Sequence, residues 1–222
     1  MYTNNNVHPV VLQHNEPVQL SEGLIVTPLG IEHRADFTDT FCFGIKGRRA
    51  ELLFCPDIDS WNQCAHFAVD TSASPSGAGP GSAPGADATA LNGGGMPSNA
   101  ATHNWLRQVL LSQRFAVLLL DATFYDDMEL RHRDMRAIPH PRVVDTVGIV
   151  NSFNAESSGD DSGAAADVQQ QYCQPCAGPS QQAVVLIHLN HSNRLWVEPA
   201  LVRSIEAGSG VLTGRQGMSW RL

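Results

Sequence analysis

Short apolar runs recur along the chain, and most of them stop at a polar cluster. Residues 24–29, 41–45, Glu51–Cys55, 115–120 and Ala183–Ile187 are runs rich in Leu, Ile, Val and Phe, which predicts strands. The run 115–120 has no polar interruption, the pattern of a strand covered on both faces. Residues 46–49 (Lys-Gly-Arg-Arg) predict a hairpin turn, with Gly47 supplying the permissive backbone. Helical spacing predicts a helix over Trp105–Ser112, with Trp105, Leu106, Val109 and Leu110 turned inward. A second helix is predicted over 143–153, after Pro141. A third covers 199–207, with Pro199 at its start and Gly208 just past its end. Residues 211–212 and 218–222 predict a small closing hairpin.

Two stretches break this pattern. Residues 69–101 are mostly Ser, Ala, Gly and Pro, and residues 154–182 mostly Ser, Gly, Asp, Ala and Gln. Neither has the apolar surface to offset the entropy of ordering, so both are expected to be disordered insertions in surface loops. Loop-closure entropy grows slowly with length, so one fold can carry them.

The polar clusters at the strand ends share a chemistry. Residues 24–29 lead to Glu32-His33-Arg34, and Glu51–Cys55 leads to Asp57 and Asp59. Residues 115–120 lead to Asp121, and Ala183–Ile187 leads to His188 and His191. Open α/β proteins place ligands at the carboxyl edge of the sheet. Imidazole and carboxylate together suit divalent zinc or manganese. A lone strand-end histidine has a plainer use as a hydrogen-bonded edge residue, and a lone Asp after Pro56 as a turn cap. Four such ends together point to a site. Cys173 and Cys176 have Cys-x-x-Cys spacing but stand without a second pair, so they carry no zinc or redox assignment.

Composition narrows the partners. The net charge of −8 disfavours broad nucleic-acid binding. No apolar run approaches the roughly 20 residues of a membrane helix, and the first residues do not have the pattern of a signal peptide. The five cysteines, an odd number without a secretory signal, are expected to be reduced, as in a cytoplasmic protein.

Six motifs occur in order: 28–40 (Pro-Leu-Gly-Ile-Glu-His-Arg-Ala-Asp-Phe-Thr-Asp-Thr), 54–61 (Phe-Cys-Pro-Asp-Ile-Asp-Ser-Trp), Asp121-Ala122-Thr123-Phe124-Tyr125, Arg133-Asp134-Met135, Ile138-Pro139-His140-Pro141 and His188-Leu189-Asn190-His191-Ser192-Asn193. Together they resemble the second half of the metallo-β-lactamase-fold hydrolases. The branch most similar is that of proteins like the pyrroloquinoline quinone biosynthesis protein B; ribonuclease Z and cyclic phosphodiesterases are more distantly similar. The resemblance covers nearly everything outside the two insertions.

It implies an α/β fold: the C-terminal half of an αββα sandwich, spanning 1–222 and interrupted by two low-complexity loops. It implies a metal site with His33, a bridging Asp57 and His188 as ligands. It implies zinc or manganese as cofactor, two ions in a complete site, and a small phosphodiester or similar ester as substrate, hydrolysed by metal-bound hydroxide. His140 matches a proton donor near the substrate, and Asp121, Asp59 and His191 match positions that support the ligands. Arg133-Asp134 is a candidate ion pair fixing the loop of His140.

The first-half His-x-His-x-Asp-His motif of such hydrolases does not occur here. The chain is therefore expected to be a truncated or split product, to receive the other half from a partner, or to have lost two-metal chemistry. By itself it is expected to show little activity, and its open sheet face to favour aggregation or a homodimer. A degenerate, non-catalytic α/β binding or scaffold module is the alternative. A role in cofactor biosynthesis rests on the family label alone.

Overall fold

The computed structural model describes residues 10–33, 39–62, 104–157 and 182–222. Cys173, Cys176, residues 69–101 and most of the expected second insertion lie outside these. Among the described residues seven strands form one sheet in sequence order: β1 (Val18–Ser21), β2 (Leu24–Ile31), β3 (Thr40–Lys46), β4 (Glu51–Cys55), β5 (Val117–Asp121), β6 (Ala183–Ile187) and β7 (Leu212–Thr213). β1 to β4 form an antiparallel meander, and β4 to β7 pair in parallel. Three α-helices accompany the sheet: α1 (Trp105–Ser112), α2 (Val143–Ser157) and α3 (Pro199–Ser209). The α/β class read from the sequence holds.

Alternation along the strands divides the core in two. Leu53, Cys55, Leu118, Leu120, Val184 and Leu186 face the helices, where Leu106, Val109, Val143 and Val202 meet them. Leu52, Val117 and Val185 face the other way, under a thinner cover that includes Met218 and Leu222. Trp61 joins the helical layer: it stacks on Trp105 at 5.8 Å and its indole N–H donates to Thr146 Oγ1 at 2.8 Å. A buried indole that keeps its hydrogen bond packs without a polar penalty.

Several sequence expectations change. Gly47 closes the β3–β4 turn, its N–H donating to the Ala50 carbonyl at 2.9 Å. Its φ is not among the positive ones; a Cβ there would lie 2.2 Å from the Leu222 carbonyl carbon, so close approach is what calls for glycine. α3 runs through Gly208, and the left-handed cap is Gly210, at φ 70°. α2 continues to Ser157, so residues 154–157 are its last turn and not insertion. The C-terminal hairpin does not form: β7 pairs in parallel with β6, and 218–222 carries no strand. Cys42 and Cys55, adjacent across β3 and β4 with Cα atoms 4.5 Å apart, are joined as a disulfide, contrary to the reduced state expected of them. An odd cysteine count says nothing about which pair the sheet register brings face to face.

Among the described residues no helix is long and apolar enough to cross a membrane.

Candidate metal centre

Strand direction brings the site together. β2 and β4 both run antiparallel to β3, so they share a direction, and β5 and β6 run parallel to β4. The residues just past these four strands therefore emerge at one edge. Register keeps the ends level, with Cys55 opposite Leu120 and Asp121 opposite Ile187. His33 follows β2, Asp57 and Asp59 follow β4, Asp121 ends β5 and His188 follows β6. The Asp59 N–H donates to the Glu32 carbonyl at 3.0 Å, clasping the β2 and β4 ends. Asn193, fully buried, clasps the β5 and β6 loops: its side-chain amide donates to the Ala122 and Thr123 carbonyls at 2.8 and 3.3 Å.

His140 enters from the loop before α2. It stands between Pro139 and Pro141, whose rings fix φ, so its backbone has little freedom to lose. Its ring centroid lies 5.1 Å from that of His33 and 6.2 Å from that of His188.

Asp57 is the centre of the group. Its Oδ1 lies 3.7 Å from His33 Nε2, 3.6 Å from His188 Nδ1 and 4.0 Å from His140 Nδ1. These gaps are too long for hydrogen bonds. The gap to His33 Nε2 is near the separation of co-ligands: two donors about 2.0–2.1 Å from one tetrahedral zinc lie about 3.4 Å apart. Two sets have one ligand atom per residue mutually within 4.8 Å: His33, Asp57 and His140, and Asp57, Asp121 and His188. Asp57 belongs to both.

Each imidazole is held by its Nδ1. His33 Nδ1 lies 2.9 Å from Asp59 Oδ1, His140 Nδ1 2.7 Å from Asp121 Oδ2, and His188 Nδ1 2.9 Å from Thr123 Oγ1. An ionised carboxylate only accepts, so Nδ1–H is the donor in His33 and His140. Thr123 Oγ1 lies 2.7 Å from Asp121 Oδ1, where its single proton goes, and it can then accept from His188. No hydrogen bond engages Nε2 of these rings among the described residues. A neutral imidazole held in this way presents a lone pair on Nε2, the arrangement common around protein zinc.

Asp121 is completely buried and fully bonded: it accepts also from the N–H groups of Thr123 (2.8 Å) and Ile58 (3.2 Å). Its 2.7 Å contact with His140 is a hydrogen bond, too short for two ligands of one ion.

His188 is the most open of the three histidines, its side chain 45% exposed, against 14% for His33 and His140. Its φ of 58° puts it in the left-handed region. A non-glycine residue there costs roughly 1–2 kcal/mol, and such outliers concentrate at functional sites.

The structure thus gathers His33, Asp57, Asp59, Asp121, His140 and His188. His191 sits in the exposed turn beyond, in neither ligand set. Arg133-Asp134 does not fix the His140 loop as an ion pair. Asp134 instead caps a short 3₁₀ turn, accepting from the Arg136 N–H at 3.1 Å. Thr123 was not singled out by the sequence; its one signal is its place two residues after a strand-end aspartate.

No family model matches the chain, and no curated protein matches it. Among solved structures it is similar to the Zn(2+)-bound PqqB from Methylobacterium extorquens, with 13% sequence identity and a TM-score of 0.48. That match covers 95% of this chain and 51% of the other, so the chain spans about half the length of that structure. Among the described residues, one mixed sheet with three α-helices is an α/β architecture.

Proposed function

We propose that this chain carries a divalent-metal centre, zinc or manganese, and serves hydrolysis of a small phosphodiester or similar ester. The observation that carries the reading is Asp57 set among three imidazoles and common to both ligand sets, its Oδ1 at co-ligand distance from His33 Nε2, with both other carboxylates turned to holding rings. His33 and His188 would be the flanking ligands and Asp57 the shared one. A bound divalent ion would polarise a phosphoryl or carbonyl oxygen and make water acidic near neutral pH. The Asp121–His140 pair would handle the proton: the carboxylate fixes the ring's tautomer and leaves Nε2 to exchange a proton with a leaving group. Asp59 and Thr123 would hold the other two rings in register.

Turnover by residues 1–222 is expected to be weak, because two ions sharing these donors would each have few protein ligands. The test is zinc-stimulated hydrolysis of bis(4-nitrophenyl) phosphate alongside zinc content. His140→Ala is expected to keep its zinc and lose roughly 100-fold or more of the stimulated rate. Equal rates in the two proteins would remove His140 from the chemistry. Zinc binding with no stimulated hydrolysis at all would favour a non-catalytic α/β module.

A further inference from the structure

Arg142 is a buried cation, 6% exposed, that the metal centre does not use. Burying a guanidinium is costly unless its donors are met, and here all its partners lie on the loop that carries His140 or just ahead of it. Nε donates to Asp127 Oδ1 at 2.8 Å, Nη1 to the His140 carbonyl at 2.5 Å, and Nη2 to the Met135 carbonyl. The guanidinium carbon also sits 5.5 Å above the Phe124 ring, whose edge-on partner at 5.9 Å is the His140 imidazole. The backbone closes the same circle: the Val143 N–H donates to the Phe124 carbonyl at 3.0 Å.

The backbone at His140 itself has little hold. Among the described residues the His140 N–H bonds only back to the Ile138 carbonyl, at 3.0 Å, and Pro139 and Pro141 offer no N–H. Arg142 therefore ties the His140 and Met135 carbonyls to Asp127, beside the backbone bonds by which Val143 and Val144 hold the Phe124 and Tyr125 carbonyls.

We infer that Arg142 is a positioning residue: its forked guanidinium, with Asp127 as counter-charge, sets the loop so that His140 Nδ1 meets Asp121. The inference rests on the functional reading of His140 for its purpose, and on geometry alone for its substance. Lysine keeps the charge but, as a compact ammonium, cannot reach three acceptors in one plane.

The test is proton–nitrogen NMR of the histidine rings in metal-free protein. His140 and His33 each donate Nδ1–H to a carboxylate, so each should give a protected, downfield ring N–H signal. Arg142→Lys and Asp127→Asn are expected to lose or shift the His140 signal and to leave that of His33 in place. His33 thus reports folding within the same spectrum. A His140 signal unchanged in both variants overturns the inference, as does its loss only together with that of His33. A protein that bound no zinc yet showed the selective loss would sink the metal reading and leave the positioning role standing.

Discussion

The helix-covered face of the sheet and its carboxyl edge are built by different rules. The face is closed by apolar side chains that alternate along β4, β5 and β6 and meet three helices. Its members are exchangeable in kind, since burial asks only for apolar volume. The edge is closed by polar bonds among segments apart in sequence: Thr123 with His188, Asp59 with His33, Asp121 with His140. There each residue has a distinct partner. The difference teaches where each kind of substitution should register: stability for the face, metal for the edge.

The sharpest break between them is at adjacent residues of β5. Leu118 is fully buried under the helices, and Leu119 points to the thin side, half-buried. Leu118→Ala should cost about 2–5 kcal/mol by urea unfolding. Leu119→Ala should cost less than half of that. Zinc content per folded molecule should change in neither; a parallel loss of zinc would mean that face and edge are not separable.

Asp59→Asn sharpens the edge side. It keeps the shape but weakens the hold on His33 Nδ1. Zinc affinity should fall about tenfold, with stability within about 0.5 kcal/mol of wild type. Isothermal titration and urea unfolding on one preparation check both halves.

The smallest effect is at residue 188, where the two rules meet in one backbone. His188→Ala and His188→Gly both remove the imidazole and should lose the same zinc. The glycine variant should be more stable than the alanine variant by about 1 kcal/mol, because only glycine adopts φ near 58° without strain. Equal stability would mean that the left-handed backbone at 188 carries no strain.

The face was largely legible in the sequence, because period-two and period-3.6 patterns are local. α1 has the bounds that its Trp and Leu spacing implies. What was missed is non-local. β1 has four residues, and two apolar positions, Val18 and Leu20, are too short a run to stand out as a strand. An extended run at 211–212 was expected but with 218–222 as its partner; Leu212 and Thr213 pair instead with Val185 and Leu186, and no spacing near 212 reveals that. At the edge, the strand-end rule brought out His33, Asp57, Asp121 and His188, because strand direction alone places them. It did not bring out Thr123 as the hydroxyl joining Asp121 to His188, nor Arg142 as the cation behind His140. Their roles depend on how loops fold back, which strand patterns do not encode.

The most direct measurement is the zinc content of the purified protein beside that of Asp57→Ala, after dialysis against a small excess of zinc, with circular dichroism to show both folded. Asp57 lies at co-ligand distance from His33 Nε2 and belongs to both ligand sets, so wild type should retain zinc and Asp57→Ala should retain none. Equal zinc in the two folded proteins, or none in wild type, would contradict a metal centre built on Asp57.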